Sequence, residues 1–464
     1  MKLSDVYLKV PPVLKIPGAR KKIKEINEKM GTKLAVLDDD PTGCQTVHDV
    51  RILLDWEEDL LSGVLKDNDV FYILTNTRGY PEKKTGEINK KVVTRLLKYV
   101  DPSLLKVISR SDSTLRGHFG LEVKVLLDLL GPFDGVIVVP YFKEGGRFTL
   151  SDTHYVLQGE ELVEANSTEF ASDPVFSFKN SYLPAWIEEK SGGIWKEEDV
   201  ISISIDDIRM GGIDRVYGVL KDVKDTKPVI VNCLDDEDLE VFVLGLLKAE
   251  SEGKRFLYRT AASFVKIRAG IEDKETVRSF LMKKGVIIAG SFVKKTTEQL
   301  ETLFEDFSLD RVELKVSEIL SEERTDYLNG VVERVNEALL QDKSIVVYTE
   351  RDYAIPDPGK EEQLRSGEII SLFLADIVKN LKVSPDFLIA KGGITSYIVA
   401  KEGLGVKIAD VIGQIAPGVP VWKLREGCRF PDLFYIVFPG NVGDRLTLSR
   451  IFSTLIDTSK ASNQ

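Results

Sequence analysis

Short apolar runs alternate with amphipathic stretches from Lys33 onward, and this rhythm limits the fold more than any other feature of the chain. In the first half the apolar runs occupy residues 33–38, 50–55, 70–76, 105–111 and 135–140, and a helical pattern covers residues 86–100. Such runs are typical of strands buried on both faces. We therefore predict a largely parallel, doubly wound α/β sheet. Functional side chains should lie just past the carboxyl ends of its strands.

The alternation pauses and then restarts, which predicts two domains. Residues 155–225 are irregular, residues 273–285 have the composition of a charged helix, and a new apolar run begins at Gly285. At 464 residues the chain also exceeds the size of about 250–300 residues that one hydrophobic core usually supports. We predict a lead-in segment at 1–32 with a helix from Ala19 to Met30, a first domain at 33–275 and a second at 284–464. Each domain should be an α/β sheet flanked by helices, with the active site in the cleft between them.

Charge and cysteine content narrow the classes of function. The formal net charge is −11 and the pI is near 5.2, so the overall field repels nucleic acid and anionic membranes. The three cysteines contain no CxxC pair, and no run of about 18 apolar residues occurs, which disfavours a disulfide framework, a thiolate metal site and a membrane span. We predict a cytoplasmic protein with a small-molecule partner. The sequence leaves open whether it forms a homo-oligomer.

Acids, hydroxyls and arginines follow four strands of the first half. The segments are AVLDDDPTG at 35–43, ILTNTRG at 73–79, SRSDSTLRGHFG at 109–120, and the turn that contains Gly145, Gly146 and Arg147. Adjacent aspartates repel one another unless cations or donors satisfy them. Helix capping explains single residues of these segments but not the arginines. Because consecutive strand ends of a doubly wound sheet meet at one edge, the segments predict a pocket for a small polyhydroxylated acid.

Glycine-bearing strand exits mark the second half. They are GSFVKKTTEQ at 290–299, AKGGITS at 390–396 and VFPGNVGDR at 437–445. Glycine lets the backbone approach a phosphate closely, and a helix that starts there presents free N–H groups. A tight strand-to-helix turn explains any one of these exits equally well. The sequence contains neither GxxxxGK[ST] nor GxGxxG, so the nucleotide site predicted here is of neither of these types.

Seven motifs, taken in order, resemble those of the four-carbon acid sugar kinases, over residues 33 to 450. They are DD-x-TG (Asp39–Gly43), DSTLRG (Asp112–Gly117), GGR (Gly145–Arg147), GS-x(4)-T-x(2)-Q (Gly290–Gln299), GG-x-T (Gly392–Thr395), APGVP (Ala416–Pro420) and PGN-x-G (Pro439–Gly443). The resemblance implies an ATP-dependent kinase for tetronate, threonate, erythronate or 3-oxo-tetronate. It implies a substrate domain followed by a nucleotide domain, with Mg²⁺ accompanying ATP.

The resemblance and the chemistry of the motifs assign candidate site residues. The proton acceptor is sought among Asp39, Asp40 and Asp112, with the adjacent pair favoured. Contacts to the sugar acid are expected from Asp40, Arg78, Asp112, Ser113, Thr114, Arg116 and Arg147, with Arg78 or Arg116 expected to bind the substrate carboxylate. Contacts to ATP are expected from Ser291, Gly392, Gly393, Ile394, Thr395 and Gly440, and Lys294 and Lys391 are further candidates for its phosphates. No metal ligand is assigned.

Two other functions stay open at this point. AVLDDDPTG also fits the hhhhDxDxTG pattern of haloacid-dehalogenase-type phosphatases, in which Asp38 would attack a phosphoryl group, Asp40 would be the general acid and Mg²⁺ would neutralise the cluster. That interpretation gives no role to DSTLRG or to the three glycine-bearing exits. The other alternative is a non-catalytic module that binds sugar acids and needs no nucleotide site.

Overall fold

The computed structural model of the chain describes residues 1–278, 280–290, 293–351, 360–440 and 442–456. It divides into two compact units. The first comprises Met1–Arg51 and Trp56–Lys274, and the second comprises Ile52–Asp55 and Glu275–Gln464. The first unit therefore includes residues 1–32, and α2 (Ala19–Met30) packs there with a fully buried Ile23.

The first unit is built on a parallel sheet. The strands of the unit, including β6–β8 of a separate small sheet, are β1 (Lys33–Asp38), β2 (Val50–Leu53, of which Ile52 and Leu53 group with the second unit), β3 (Val70–Leu74), β4 (Leu105–Arg110), β5 (Gly135–Val139), β6 (Arg147–Leu150), β7 (Thr153–Gln158), β8 (Glu161–Glu164), β9 (Ile201–Ile203), β10 (Lys227–Val231) and β11 (Phe256–Thr260). From β3 the order is β3-β1-β4-β11-β5-β10-β9, with every pair parallel. All residues of β5 and β11 are buried, as expected of strands covered on both faces.

Ten α-helices accompany these strands. They are α1 (Leu3–Tyr7), α2 (Ala19–Met30), α3 (Glu58–Asp67), α4 (Glu82–Leu96), α5 (Phe119–Leu130), α6 (Leu183–Lys190), α7 (Ile205–Arg209), α8 (Gly212–Asp222), α9 (Asp236–Ser251) and α10 (Ala262–Arg268). The start of α9 shows why a helix begins there. Asp235 and Asp238 form a capping box, and three acids occupy the first turn, where the helix dipole favours negative charge.

An antiparallel meander, β6-β7-β8, spans residues 147–164 and so extends into the part of the chain, 155–225, where the sequence indicated irregular structure. Burial in β7 alternates with period two, as in a strand with one covered face. The β6–β7 turn uses Ser151 and Asp152, both with positive φ. The usual hairpin signal is Asn-Gly or Asp-Gly, and its absence explains why the sequence analysis missed this hairpin.

The second unit is also α/β. Its strands are β12 (Gly285–Ala289), β13 (Asp310–Leu314), β14 (Ile345–Thr349), β15 (Phe387–Lys391), β16 (Ile408–Ala416), β17 (Val419–Leu424) and β18 (Phe434–Phe438), in the order β13-β14-β12-β15-β18-β17-β16. The first five in this order are parallel, and β17 is antiparallel to both neighbours. Its helices are α11 (Lys294–Asp306), α12 (Val316–Ile319), α13 (Arg324–Leu340), α14 (Lys360–Lys379), α15 (Gly393–Ile398) and α16 (Thr447–Leu455). The predicted two-domain α/β class is confirmed.

The prediction of a charged helix at residues 273–285 is wrong. The described residues of this stretch contain no helix, and Met282 forms an isolated bridge with Ile456. Backbone N–H groups of this stretch form hydrogen bonds with distant carbonyls instead. Val277 N donates to Gln414 O at 2.7 Å, and Met282 N donates to Leu455 O at 3.0 Å. These tertiary hydrogen bonds override a helix propensity that is weak by comparison.

Among the helices that the structure describes, none is both long and apolar enough to cross a membrane.

Candidate active site

The acid turn begins where β1 ends, at Asp38. The turn is closed by local bonds, since the Thr42 N–H donates to Asp40 Oδ1 at 2.8 Å and the Gly43 N–H donates to Asp40 O at 3.0 Å. Gly43 lies directly against the Asp38 carboxyl, so that a Cβ there would overlap the oxygens of that group. The turn therefore requires glycine at residue 43, and the Asp38 side chain is completely enclosed.

Arg110 holds the first two aspartates in place. Its Nη1 lies 3.2 Å from Asp38 Oδ1 and 3.5 Å from Asp39 Oδ1, and the guanidinium is itself buried. One cation does not fully compensate two buried acids. Burial raises the pKa of Asp38 to about 7 and that of Asp39 to about 6, although Arg110 opposes both shifts. In each carboxyl the Oδ2 atom is buried and has no hydrogen-bond partner among the described residues.

Arg78 connects the acid turn to the DSTLRG segment. It pairs with Asp40 through Nη2, and its Nη1 lies 3.1 Å from Asp112 Oδ1. Arg116 Nε binds the other oxygen of Asp112 at 2.8 Å. Burial favours the neutral acids, but the arginines outweigh it, and the pKa values of Asp40 and Asp112 are lowered. Both carboxyls therefore stay ionised at neutral pH and act as fixed acceptors.

Strand order explains why these segments meet. β1 lies between β3 and β4 in parallel register, and Asp38 is level with both Leu74 and Arg110. The chain beyond each strand consequently emerges at one edge, as the sequence analysis expected. The other predicted residues of DSTLRG are buried. Thr114 donates to Asp112 through its hydroxyl, and Ser113 O accepts from His154 Nε2 at 2.8 Å.

Arg147, the first residue of β6, differs from the arginines around it. No carboxylate of the described residues lies within ion-pair distance of it, and its buried Nε has no hydrogen-bond partner. Its Cζ is 5.5 Å from the centre of the Phe170 ring, and Arg116 approaches that ring at 5.0 Å. Arg147 thus retains free donor capacity beside a network in which Arg78, Arg110 and Arg116 are already paired.

A second buried ion pair lies next to the acid turn, and it was not predicted from the sequence. Arg259 of β11 binds Glu122 of α5 and donates to Ser109 Oγ at 2.7 Å. A Cβ at Gly117 would lie 3.3 Å from both Arg259 Nη2 and Asp39 Oδ2, which places this pair next to the acid turn. In the sequence these two residues look like ordinary charges on a helix and a strand, since neither belongs to a local motif.

In the second unit the predicted nucleotide residues lie at two adjacent strand ends. Gly392, with φ of 112°, follows β15, and its N–H donates to Phe438 O at 2.8 Å. Gly393, Ile394 and Thr395 form the start of α15, where Ile394 is exposed and Thr395 is buried. Gly440 follows β18 and is half-buried. Ser291 lies outside the described residues.

Lys391, at the end of β15, is fully buried between these two loops. Its Nζ donates to Pro439 O at 3.2 Å. Burial, together with the nearby cations Lys295 and Arg351, lowers its pKa to about 7. This part of the chain is therefore rich in positive charge. No group of three or more histidine, cysteine, aspartate or glutamate side chains suited to a metal occurs among the described residues.

Comparisons with known proteins match both units. The model of a sugar-binding N-terminal domain matches residues 34–268, and that of a nucleotide-binding C-terminal domain matches residues 286–448. A 3-oxo-tetronate kinase of Pseudomonas savastanoi is 27% identical over 357 residues, covering 73% of this chain and 76% of the relative. A D-erythronate kinase of Heliobacterium modesticaldum is 34% identical over 107 residues, 23% of each chain.

Solved structures show the same fold. A Haemophilus influenzae protein superposes with a TM-score of 0.63 at 21% identity, covering 91% of this chain and 100% of that one. A putative tRNA synthase from Salmonella typhimurium gives a TM-score of 0.67 at 17% identity, covering 90% and 98%. The order of the two matched domains and the named relatives agree with the motifs in the sequence: the chain belongs to the four-carbon acid sugar kinase family.

Proposed function

We propose that the protein transfers the terminal phosphoryl group of ATP to a hydroxyl of a four-carbon acid sugar of the tetronate, threonate, erythronate or 3-oxo-tetronate type. One observation carries the proposal. In the unit that matches a sugar-binding domain, the unpaired guanidinium of Arg147 lies beside ionised carboxylates that accept hydroxyl protons in hydrogen bonds. A small polyhydroxylated acid satisfies both kinds of group at once.

The arginines divide into two roles in this proposal. Arg78 and Arg116 are occupied by Asp40 and Asp112, so they orient these acceptors toward the sugar hydroxyls. Arg147 receives the substrate carboxylate, because it alone of these three lacks a carboxylate partner among the described residues. Ser113 and Thr114 directly follow Asp112 in the chain and complete the contacts to the sugar.

Asp39 is the proposed proton acceptor. A general base works best when its pKa lies near the operating pH, and the pKa of Asp39 is raised toward neutrality by burial. Its Oδ2 is buried and has no partner among the described residues, so its capacity to accept a hydrogen bond is unused. Asp40 and Asp112 are weaker bases, because their arginine partners lower the pKa of both.

The second unit is proposed to hold ATP, with contacts from Ser291, Gly392–Thr395 and Gly440. Support comes from the matched nucleotide-binding domain and from the concentration of positive charge around Lys391. Mg²⁺ would arrive with ATP and neutralise phosphate charge. Because the described residues contain no acidic cage, we assign it no protein ligand and no step.

The structure weakens the phosphatase alternative. Asp38 would have to attack a phosphoryl group, yet its side chain has 0% exposure and is packed against Gly43. The ILTN run at residues 73–76 resembles the second motif of such phosphatases, a Thr or Ser at a strand end, but its Thr75 hydroxyl donates to Asp38 O at 2.8 Å. Neither group is open to a phosphate ester. A binding module without catalysis would not require the nucleotide-binding domain.

A substrate screen tests the proposal. Purified protein with Mg·ATP should release ADP only when a four-carbon acid sugar is present, and a coupled ADP assay across tetronate stereoisomers identifies the preferred one. Four-carbon sugar alcohols serve as controls, because they lack the carboxylate that Arg147 binds. Hydrolysis of phosphate monoesters without nucleotide would instead support the phosphatase, and nucleotide binding without transfer to any acid sugar would contradict the proposed substrate class.

A further inference from the structure

His154 is a buried histidine to which the proposed reaction assigns no role. It lies in β7, where it pairs across the meander with Thr149 of β6, and it is fully buried. Both of its ring nitrogens are bonded. Nε2 lies 2.8 Å from Ser113 O, and Nδ1 lies 3.0 Å from Thr149 Oγ1. The ring therefore connects the meander to the DSTLRG segment.

These two hydrogen bonds fix the tautomer of the ring. A carbonyl oxygen only accepts, so Nε2 carries the proton and donates to Ser113 O. Nδ1 is then the acceptor for the Thr149 hydroxyl. Burial lowers the pKa of His154 to about 4, so the ring is neutral at neutral pH. His154 thus acts as a fixed connector and not as an acid or a base.

The connection joins the two ends of the proposed sugar site. On the meander, Thr149 follows Arg147 by two residues, so both side chains lie on the same face of β6 as His154 on β7. On the other side, Ser113 directly follows Asp112. Besides burial, the charge of Arg147 lowers the pKa of His154, and the charge of Asp112 raises it. The ring therefore lies close to both the arginine and the acid.

The backbone of β6 is attached to other strand ends. Phe142, just beyond β5, exchanges two backbone hydrogen bonds with the first residue of β6. Cys233, just beyond β10, does the same with Thr149. The DSTLRG segment follows β4, and β11 separates β4 from β5 in the sheet. The ring of His154 spans this gap.

The DSTLRG segment needs contacts from outside itself. Leu115 has a φ of 68°, in the left-handed region, which is unfavourable for a residue with a Cβ. Such a conformation persists only where the surrounding structure holds it. The hydrogen bond from His154 to Ser113 O, two residues earlier, is one contact that does so.

We infer that His154 is a positioning residue that sets the separation between Arg147 and Asp112, and thereby the length of the acid that the site accepts. The inference rests on the proposed function and adds a determinant of chain length to it. Arg147 binds the carboxylate at one end of the acid, and Asp112 accepts a hydroxyl proton farther along its carbon chain. Because the acid must reach from one group to the other, a fixed separation favours one number of carbons.

Chain-length selectivity of the full chain tests this inference. The coupled ADP assay gives kcat/KM for the preferred four-carbon acid, for glycerate and for a five-carbon aldonate. His154→Asn places an amide near the position of Nδ1 but is too short to reach Ser113 O. It should lower kcat/KM for the four-carbon acid about 10- to 100-fold, the cost of misplacing a site by about 1 Å. Its preference for this acid over the five-carbon acid should fall about tenfold, the order of what one carbon is worth in a fixed pocket. KM for ATP should stay unchanged.

Two further variants separate positioning from folding. His154→Gln should restore most of the activity and of the preference, because its amide nitrogen is as many bonds from Cα as Nε2 and can donate to Ser113 O. Thr149→Val removes the bond to Nδ1 while keeping the size of the side chain. It should lower the preference in the same direction as His154→Asn, but less.

Trp195→Phe is the matched control. Trp195 is also a buried ring that donates to a backbone carbonyl, Thr226 O at 3.0 Å, but this carbonyl lies at the amino end of β10. The site lies at the carboxyl ends of the strands. The control should lower Tm and leave the preference for four carbons unchanged.

The outcomes distinguish the inference from the function on which it rests. A wild type that does not distinguish acids by length, or a preference unchanged in both His154→Asn and Thr149→Val, overturns the inference alone. A preference lost equally in Trp195→Phe also overturns it, because general destabilisation would then explain the effect. If a thermal melt shows that His154→Asn does not fold, the preference of Thr149→Val decides. A wild type that transfers phosphate to no acid sugar overturns the proposed function itself.

Discussion

Replacing Arg110 by methionine tests how the acid turn is held together. The change removes the buried cation that lies 3.2 Å from Asp38 and 3.5 Å from Asp39 while keeping an apolar side chain of similar length. Removing one partner of a buried ion pair costs about 3–5 kcal/mol, because a charge is left buried and uncompensated. That cost applies only where the acids are ionised.

The pH dependence follows from the direction of the pKa shifts. The folded-state pKa values of Asp38 and Asp39 are about 7 and about 6, above those of the unfolded chain, so their contribution to stability is complete at acid pH and is lost as pH rises through these values. Without Arg110 both values rise further. The variant should therefore lose about 3–5 kcal/mol at pH 8 but only about 1–2 kcal/mol at pH 5, where both acids are protonated and the loss is one of packing.

Two assays measure these effects. Urea unfolding at pH 5 and pH 8, followed by tryptophan fluorescence, gives the free energies, and Trp56, Trp186 and Trp195 all report on the first unit. The acid limb of the pH profile of kcat/KM should move to higher pH by about one unit or more, since Asp39 must be ionised to accept a proton.

Arg215→Met is the control. Its ion pair with Asp207 is exposed, so it should cost less than about 1 kcal/mol. Equal losses at both pH values with an unmoved acid limb would refute the reasoning.

Three further substitutions test the other parts of the site. Asp39→Asn should lower kcat by about 10²–10⁴-fold, the usual contribution of a general base, while calorimetry finds ATP affinity nearly unchanged; retained turnover would exclude Asp39. Arg147→Met should raise KM for the acid sugar about 10- to 100-fold, the worth of a charge-assisted hydrogen bond, and steady-state kinetics that change only kcat would contradict its role. Gly43→Ala should cost about 1–3 kcal/mol or more in urea unfolding because its Cβ overlaps Asp38. Gly63→Ala, in α3 with open space around it, should be neutral or stabilising; equal effects of the two substitutions would show that the turn tolerates a side chain.

The sequence alone determined the α/β class, the strands that carry the site and the helix Ala19–Met30. Their signals are local: β1 and β4 are apolar runs that end in polar residues, and that pattern reports burial on both faces whatever the neighbouring strands are. The ordered motifs likewise identified the family, which the domain matches then showed. Local signals fail where residues distant in the sequence determine the backbone conformation. Residues 273–285 were predicted to be helical, but backbone N–H groups of this stretch donate instead to the carbonyls of Gln414 and Leu455.

Only the tertiary structure decided which charges are paired and which are free. The sequence favoured Arg78 or Arg116 as the partner of the substrate carboxylate, yet Asp40 and Asp112 pair with these two arginines, and Arg147 has no ion-pair partner among the described residues. The support of Asp39 by Arg259 and Glu122 joins residues 137 positions apart, which no local motif connects. The reason is physical: the pKa and the donor capacity of a side chain depend on burial and on charges within a few ångströms, and these are set by how strands and helices pack.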